Sequence, residues 1–318
     1  MTLVVVTGGA GFIGSHLVTK LVEQGYQVRV LDNLVTGHED NLRHVRHRVS
    51  FIRGGVEDED LCCRVFDGAR YIWHLGALGS VPRSLRDPLS SNKANVTGTL
   101  TVLWAARQMG VERVVFSSSS SVYGPLAELP QNTLANPSPS SPYAVTKLAG
   151  EHYLRVFHEA FGLETVSLRY FNVFGPRQDP SSPYAAVMPS FVRALLADHP
   201  GQIEGDGTQS RDFTYVEDCV QASLKAMTAP KAAGKVYNVA YGRQTTVGEL
   251  YEVVCRILDK DIEPVYVEPR PGDVMHSRAD ITATREDLGF SPEYSVESGL
   301  EEAIPWYIEY FRKRPMVH

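Results

Sequence analysis

The sequence predicts an α/β fold: a doubly wound parallel sheet that carries a second, smaller α/β lobe. Short runs of β-branched residues alternate with helical patterns, a glycine-rich turn follows the first run, and the alternation weakens after residues 175–183. Strands that alternate with helices form parallel sheets, because parallel neighbours require a crossover connection. The 318 residues exceed a typical single domain and suffice for two coupled lobes.

The predicted elements follow in regular order along the first half of the chain. Strands are predicted at residues 3–7, 27–32, 49–52, 71–75, 113–117 and 165–170. Helices are predicted at residues 15–24 and 97–109, where apolar residues recur at spacings of three and four. Frequent prolines make residues 125–142 a loop. Two further helical patterns, at residues 246–258 and 295–311, are assigned to the second lobe.

Composition excludes several classes of protein. A formal net charge of -6 provides no basic surface, so no nucleic-acid partner is expected. The N-terminal residues lack signal-peptide features and no apolar stretch approaches the ~20 residues that span a bilayer, so no membrane association is expected. The four cysteines have neither metal-ligand spacing nor the density of a disulfide framework. We therefore expect no metal site and a cytoplasmic location.

The first chemical motif is the glycine-rich turn Thr7-Gly8-Gly9-Ala10-Gly11-Phe12-Ile13-Gly14, between a predicted strand and a predicted helix. Gly8 and Gly11 permit a tight turn and close approach of the backbone to a pyrophosphate, and Gly14 lets helix and strand pack closely. Asp32 ends the second predicted strand, where its carboxylate can accept hydrogen bonds from ribose hydroxyls. Since this charge would repel a 2′-phosphate, the motif predicts NAD rather than NADP.

The chain is predicted to divide into two domains. A Rossmann domain, the doubly wound sheet that binds dinucleotides, is predicted over residues 1–172, with a returning segment at about 213–241. Residues 173–212 and 242–318 then form the smaller, substrate-binding α/β lobe. Ligands of open α/β sheets bind at the carboxyl ends of the strands, so the functional site is expected at that edge.

A second constellation consists of Tyr143 and Lys147, which follow Pro142. Proline suits the first turn of a helix, so the two side chains are predicted on one helical face. A free tyrosine has a pKa near 10, and acting as a base at neutral pH requires a nearby cation, which Lys147 and a nicotinamide ring can supply. The serines at 117–121 add hydroxyls at the end of a predicted strand. Together with the glycine-rich turn, these residues predict a catalytic site.

In these motifs the chain resembles the extended short-chain dehydrogenase/reductases and, within them, the UDP-hexose 4-epimerases. The resemblance covers essentially the whole chain and extends to the segments His74-Leu75-Gly76-Ala77, Asn95-Val96-Thr97-Gly98-Thr99, Arg169-Tyr170-Phe171-Asn172-Val173-Phe174-Gly175-Pro176-Arg177, Arg211-Asp212-Phe213-Thr214-Tyr215-Val216-Glu217-Asp218 and Arg270-Pro271-Gly272-Asp273. It implies tightly held NAD, a UDP-sugar substrate, and a homodimer formed by helices near residues 95–109 and 143–161.

The resemblance further implies a role for individual residues. The implied catalytic residues are Ser119, Tyr143 and Lys147. Besides Tyr143 and Lys147, the implied NAD-binding residues are Gly8, Gly11, Phe12, Ile13, Gly14, Asp32, Asn33, Thr36, Gly37, Asp58, Leu75, Gly76, Ala77, Asn95, Ser117, Ser118 and Tyr170. The implied substrate-binding residues are Ser80, Ser119, Ser120, Ser121, Tyr143, Asn172, Val187, Met188, Phe191, Arg211, Arg270, Asp273 and Ser277. Arg211 and Arg270 would meet the diphosphate with forked, charge-assisted hydrogen bonds.

Two departures from the family pattern concern the cofactor. Many relatives have Gly-Asp where this chain has Gly54-Gly55, so the usual aspartate contact with adenine is absent or moved to Asp58. In addition, Gly76 replaces a more usual alanine.

The implied reaction is 4-epimerisation through a transient 4-keto sugar. Tyr143 removes the proton from the sugar 4-hydroxyl, Ser119 orients that oxygen, and hydride passes from C4 to the nicotinamide and returns to the opposite face. Ser277 corresponds to the wall residue beside the sugar C2 substituent, where glucose-only members carry tyrosine. Because serine leaves space for an N-acetyl group, we expect UDP-GlcNAc/UDP-GalNAc as well as UDP-Glc/UDP-Gal. Residues 183–189 also resemble the N-acetylhexosamine epimerases.

Other functions compete with this one. A nucleotide-sugar 4,6-dehydratase would carry an Asp-Glu pair where this chain has Ser120-Ser121. A UDP-glucuronic acid 4-epimerase or decarboxylase is the main enzymatic alternative, because serine-rich loops can accept a carboxylate. A non-catalytic NAD-binding protein is the alternative from another class. The presence of both Tyr143 and Lys147 argues against it.

Overall fold

The computed structural model describes residues 1–125, 127–180, 187–269 and 275–313. The strands are β1 (Leu3–Thr7), β2 (Gln27–Asp32), β3 (Val49–Arg53), β4 (Tyr71–His74), β5 (Arg113–Ser119), β6 (Glu164–Tyr170), β7 (Val173–Phe174), β8 (Gln202–Glu204), β9 (Ser210–Arg211), β10 (Thr214–Tyr215), β11 (Lys235–Val239), β12 (Thr245–Thr246) and β13 (Val265–Val267). The helices are α1 (Phe12–Glu23), α2 (Glu59–Phe66), α3 (Val81–Arg86), α4 (Pro88–Asn92), α5 (Gly98–Gln108), α6 (Pro142–Phe161), α7 (Val187–Leu196), α8 (Val216–Thr228), α9 (Val247–Leu258), α10 (Thr282–Leu288) and α11 (Val296–Lys313).

A seven-stranded parallel sheet forms the centre of the molecule, in the order β11-β6-β5-β4-β1-β2-β3. The chain order reverses between β1 and β4, which creates the crevice where doubly wound sheets bind ligands. The predicted α/β fold class and the predicted strands of this sheet are confirmed. The sequence analysis did not identify β11, a short edge strand that begins at a lysine after a stretch rich in alanine.

The predicted helices are present, with ends set by local capping. Helix α1 begins at Phe12 rather than at residue 15, because Gly11 of the glycine-rich turn is its N-cap. Helix α9 begins at Val247, where Thr246 and Glu249 form a reciprocal capping box. A π-helical turn, Lys93–Thr97, precedes α5. Within the described ranges, no helix has both the length and the hydropathy required to cross a membrane.

Side chains alternate between the two faces of the sheet and create a core on each. Val4 and Val6 of β1 pack with residues of α1 and α8, whereas Val5 packs with residues of α2, α5 and α6. This alternation is the period of two expected of a strand, and burial of both faces explains why these strands are continuously apolar.

The smaller lobe has a core of its own. Phe174, Phe191, Leu250, Leu300 and Tyr307 belong to one apolar cluster, and three short two-stranded sheets lie around it. The half-buried side chains of Phe12 and Ile13, at the start of α1, pack against this cluster. The lobe therefore contacts the glycine-rich turn. The predicted division between domains at residue 172 stays a prediction.

Candidate active site

The glycine-rich turn leaves no room for side chains at two of its glycines. Gly8 has φ +69°, and a Cβ added there would lie 2.7 Å from the Gly76 nitrogen. A Cβ on Gly14 would lie 2.2 Å from the Gly8 carbonyl oxygen. Helix α1 has no side-chain cap, so its first turn presents uncapped backbone amides next to this tight turn. Amides at a helix N-terminus, together with the helix dipole, bind phosphate groups.

Asp32 lies at the carboxyl end of β2 beside this turn. Its side chain accepts hydrogen bonds from the Ala10 amide at 2.9 Å and the Leu34 amide at 2.8 Å. Burial raises the pKa of this carboxyl group, and the two amides counteract that effect. Gly37 packs on the carboxylate, since a Cβ there would lie 3.0 Å from Oδ2. The neighbouring predicted cofactor residues, Asn33 and Thr36, are exposed.

The unusual Gly76 lies against the first strand and Val56. Its amide donates to the Thr7 hydroxyl at 3.2 Å, and a Cβ there would lie 3.3 Å from a Val56 methyl group. The glycine therefore accommodates Val56 beside the turn. The neighbouring predicted residues, Leu75 and Ala77, are partly buried.

Asp58, which was predicted as the alternative contact with adenine, is the N-cap residue of α2. Its carboxylate caps α2 by accepting a hydrogen bond from the Leu61 amide at 2.9 Å. The side chain is exposed, and an adenine contact would have to share the carboxylate with this cap.

Helix α6 and the end of β5 bring the predicted catalytic residues together. Burial raises the pKa of Tyr143, and the nearby Ser119 hydroxyl lowers it by less. Lys147 is buried, and its Nζ donates to the Ser117 carbonyl at 2.7 Å and lies 5.9 Å from the centre of the Tyr143 ring. The Tyr143 amide donates to the Ser84 hydroxyl, which fixes the start of the helix. The sequence reasoning missed Ser84.

The charges at this site differ from those in water. Burial lowers the pKa of Lys147 from 10.5 to about 8, and attraction to Glu151 opposes that decrease. Burial lowers the pKa of His74, on the neighbouring strand β4, to about 3. At neutral pH, Lys147 is therefore a cation next to Tyr143, whereas His74 is neutral.

The side chains of three predicted cofactor-binding residues make hydrogen bonds to other groups of the protein. The Ser118 hydroxyl donates to Glu151 at 2.5 Å, and the Tyr170 hydroxyl contacts the Ser223 hydroxyl at 2.6 Å. The Asn95 amide bonds the backbone of residue 78 and the Thr146 hydroxyl. Ser118 stays a predicted cofactor residue; alternation along β5 turns its hydroxyl away from Ser119 and towards Glu151, so a cofactor contact there would come from its backbone.

Just beyond the carboxyl end of β6, Asn172 and Ser277 are neighbours. Asn172 has φ +34°, and its amide donates to the Asp212 carbonyl at 3.1 Å and the Ser277 hydroxyl at 3.4 Å. The Asp212 carboxylate, which the sequence reasoning missed, accepts hydrogen bonds from the Gly242 and Ala279 amides and thereby joins three loops. Burial raises its pKa to about 7.

The other predicted substrate residues are more dispersed. Ser80 caps α3, Arg211 donates to the Ser210 and Met275 carbonyls, and the Ser121 amide donates to the Ser119 hydroxyl at 3.2 Å. Met188 and Phe191 are buried in the lobe core, so any nucleotide contact there would come from their backbone. The remaining predicted residues of this side are Ser120 and Val187, which are partly buried. Arg270, Asp273 and residues 183–186 lie outside the described residues.

Together, the glycine-rich turn, the Asp32 carboxylate and the Ser119–Tyr143–Lys147 group define a short-chain dehydrogenase/reductase centre on a Rossmann sheet. The chain belongs to the NAD dependent epimerase/dehydratase family, whose model matches residues 4–240. The resemblance stated from the motifs is thereby confirmed, and NAD is the cofactor of the family.

Relatives match the chain over nearly its full length. It is 37% identical over 313 residues to a UDP-glucose 4-epimerase of Mycolicibacterium smegmatis, covering 97% of this chain and 98% of the relative. The crystal structure of a Thermotoga maritima UDP-glucose 4-epimerase with UDP-glucose superposes with a TM-score of 0.93 at 39% identity, covering 98% and 100% of the two chains.

A second similar structure is that of an epimerase named for a different sugar. A UDP-N-acetylglucosamine 4-epimerase from Methanobrevibacter ruminantium, in complex with UDP-N-acetylmuramic acid, superposes with a TM-score of 0.93 at 41% identity and covers 97% and 99% of the chains. More distant relatives include UDP-glucuronic acid 4-epimerases. The family and its UDP-sugar chemistry are therefore shared among these relatives, whereas their sugars differ.

Proposed function

We propose that this protein is a NAD-dependent UDP-hexose 4-epimerase that interconverts UDP-Glc with UDP-Gal and UDP-GlcNAc with UDP-GalNAc through a transient 4-keto sugar. The observation that carries the proposal is the position of Tyr143 beside the buried Lys147, whose Nζ lies 5.9 Å from the tyrosine ring centre and donates to the Ser117 carbonyl next to Ser119. A hydroxyl donor, a base and a cation at one point are what removal of a proton from a secondary alcohol requires.

The residues present fit NAD. The tight turn at Gly8, which packs against the Gly76 backbone, leads to the uncapped start of α1, and Asp32 ends the adjacent strand. These three features suit a pyrophosphate and a ribose with two free hydroxyls. When bound, NAD supplies the site where hydride from sugar C4 is held and from which it is returned.

The chain itself supplies proton transfer and orientation. Tyr143, in the phenolate form that the Lys147 cation stabilises, takes the proton from the 4-hydroxyl group and becomes a neutral phenol. Ser119 donates a hydrogen bond to the same sugar oxygen and so fixes C4 relative to the base. The Phe12 and Ile13 contacts hold the lobe over this edge and help to exclude water.

The substrate proposal rests on Ser277 and its neighbour Asn172. Ser277 is buried, with its hydroxyl 3.4 Å from the Asn172 amide nitrogen, so the two residues belong to one wall. A serine here is small enough to leave space for an N-acetyl group at sugar C2. Arg211, whose guanidinium donates to the Ser210 carbonyl, is proposed to bind the diphosphate together with Arg270.

A second candidate substrate is UDP-glucuronic acid. The Ser121 hydroxyl is buried, and within the described ranges it has no hydrogen-bond partner. Such an unpaired donor is costly unless a ligand or water satisfies it, and a sugar carboxylate would do so. A 4,6-dehydratase is disfavoured because Ser120 and Ser121 occupy the place of its acid pair.

The proposal includes a homodimer in a reducing compartment such as the cytoplasm. Exposed apolar side chains lie on α5 and α6, among them Trp104, Val145, Val156 and Phe161. Exposed aromatic side chains of this kind are enriched in protein interfaces. The four cysteines are free thiols, which suits a reducing environment.

Incubation of the purified protein with single UDP-sugars tests the function. UDP-Glc, UDP-GlcNAc and UDP-GlcA are supplied separately without added cofactor, and NMR follows formation of the 4-epimer. Conversion of both UDP-Glc and UDP-GlcNAc is expected. Conversion of UDP-GlcA alone would favour the second candidate, and no conversion of any sugar would favour a non-catalytic NAD-binding protein.

A further inference from the structure

A buried ion pair lies behind the catalytic residues and has no part in the reaction described above. Arg169 on β6 donates from Nη2 and Nε to the Glu151 carboxylate on α6, at 2.7 Å and 2.9 Å. The two side chains are only 3% and 4% exposed. A buried ion pair is often no more stable than an apolar pair of equal volume, because both charges lose their hydration. Its presence here therefore suggests a role besides stability.

The carboxylate of Glu151 is coupled to the strand that carries Ser119. Tyr143, Lys147 and Glu151 are spaced four residues apart and share one face of α6. Two of them hold the serine run at the end of β5. Lys147 donates to the Ser117 carbonyl, and Glu151 accepts from the Ser118 hydroxyl; Tyr143, one turn earlier on the same face, lies beside Ser119.

Glu151 also acts on the charge of Lys147. The ionisable groups around Lys147 are Tyr143 and Glu151 on α6, His74 on β4 and, behind Glu151, Arg169 on β6. His74 is neutral at physiological pH, and burial alone disfavours the ammonium form of Lys147. The attraction of Glu151 opposes this effect.

We propose that Glu151 is a positioning residue that anchors Ser118, and thus Ser119, while keeping Lys147 in its charged form beside Tyr143. Arg169 keeps Glu151 in place. The inference rests on the proposed epimerase function for its effect on turnover, but its effect on Lys147 is a property of the folded chain alone. Without Glu151, Lys147 loses its proton at lower pH, and the alkaline limit of activity moves down with it.

Three variants test the proposal. Glu151→Gln removes the charge but leaves Arg169 buried without its ion pair, so the double variant Glu151→Leu with Arg169→Met provides an apolar replacement that retains packing. Ser118→Ala removes only the hydrogen bond between Ser118 and Glu151 and keeps the charge of Glu151. The matched control is Glu164→Gln, which removes the ion pair between Arg113 on β5 and Glu164 on β6, at the amino-terminal ends of these strands and away from Ser119.

The first measurement is a 13C NMR titration of lysine-labelled protein, in which the Lys147 signal is identified by its absence in Lys147→Met. Glu151→Gln and the double variant should each lower the midpoint of the Lys147 titration by about one pH unit or more. Ser118→Ala and the control Glu164→Gln should leave this midpoint unchanged. The alkaline limb of the kcat profile should shift by the same amount. Ser118→Ala should lower kcat without moving that limb.

An unchanged Lys147 titration in both Glu151 variants would overturn the proposed charge role and leave the ion pair a structural feature. Full kcat in Ser118→Ala would overturn the proposed anchor. If the wild-type protein converts no UDP-hexose, the proposed function fails, yet the NMR titration still decides whether Glu151 controls Lys147.

Discussion

At the scale of single residues, the buried charge of Lys147, which the proposed reaction requires, lowers the stability of the folded chain. Its pKa falls from 10.5 to about 8 in the folded chain, so the charged form costs about 3 kcal/mol at pH 7. Loss of its hydrogen bond to Ser117 removes about 1 kcal/mol of stability. We therefore predict that Lys147→Met raises the free energy of unfolding at pH 7 by about 2 kcal/mol while abolishing turnover.

The pH dependence of this prediction follows from the direction of the shift. Below pH 8 the folded and unfolded chains both carry the lysine proton, and the cost is fully present. Between pH 8 and 10.5 the unfolded chain holds more protons than the folded chain, so the stability of the wild type rises. Denaturant unfolding should therefore show the advantage of Lys147→Met shrinking across this window; an advantage independent of pH would contradict the assignment.

Tyr143 is the residue whose loss should separate chemistry from binding. We predict that Tyr143→Phe lowers kcat by about 10²–10⁴-fold, because it removes the proton acceptor without changing the shape of the site. Calorimetric titration with UDP should be unaffected. Tyr237→Phe is a matched control, since that hydroxyl binds Asp287 away from the crevice. Retained turnover in Tyr143→Phe would contradict the proposed mechanism.

Ser277 should determine the tolerance for C2 substituents. We predict that Ser277→Tyr lowers kcat/KM for UDP-GlcNAc about tenfold or more relative to UDP-Glc, because the ring fills the space beside C2. Ser277→Ala keeps this space open and serves as the control. Initial rates measured by NMR with both sugars provide the comparison. Equal losses for the two sugars would refute the steric explanation.

At the scale of elements, the glycine-rich turn depends on Gly8 for two separable reasons. Gly8 and Gly110 both have φ +69°, but only Gly8 has backbone atoms within 3 Å of the Cβ position. We predict that Gly110→Ala costs about 1 kcal/mol through backbone strain alone. Gly8→Ala should cost more and should release NAD, as seen in the absorbance of the purified protein. Equal stability losses, with NAD retained in both variants, would contradict the close packing described here.

The elements also show what the sequence could and could not reveal. The turn, β1, α1 and α6 were predictable because their signals are local: glycine spacing, a β-branched run, and proline at a first helical turn. The strand β11 was missed because an edge strand needs little apolar periodicity and is defined by its pairing with β6. The Ser84 contact with Tyr143 joins residues that are far apart in sequence, and no spacing rule predicts it.

The same distinction applies to the site. Ser119, Tyr143 and Lys147 were found by their motif and are brought together by the fold. Ser118 stays a predicted cofactor residue, but no sequence signal showed that the alternation of β5 directs its hydroxyl to Glu151. The sequence did not reveal the role of Asp212, because its carboxylate accepts hydrogen bonds from the amides of residues 242 and 279. These residues are distant in sequence and come together only in the folded chain.

At the scale of the whole molecule, the outer surface of α5 and α6 is incompletely covered. Trp104 and Phe161 are 37% and 43% exposed, with ring centres 6.3 Å apart, and the Arg107 guanidinium lies 4.8 Å from the Phe161 ring centre. Tryptophan and arginine are the residues that most often dominate the binding energy of interfaces. This cluster is therefore the expected centre of a two-fold interface, in which the same surface of each copy meets the other.

We predict that the wild-type protein sediments as a dimer and that Trp104→Glu shifts it to monomers, because a carboxylate would be buried without a partner at the centre of the contact. Leu134→Glu is a suitable control, since Leu134 is 91% exposed in the proline-rich loop, away from both helices. Sedimentation velocity at micromolar concentration distinguishes the two forms. A wild-type monomer, or a dimer that persists in Trp104→Glu, would place the interface elsewhere. If monomers of Trp104→Glu keep their turnover, each copy contains a complete site, as expected when Tyr143, Lys147 and Ser277 all come from one chain.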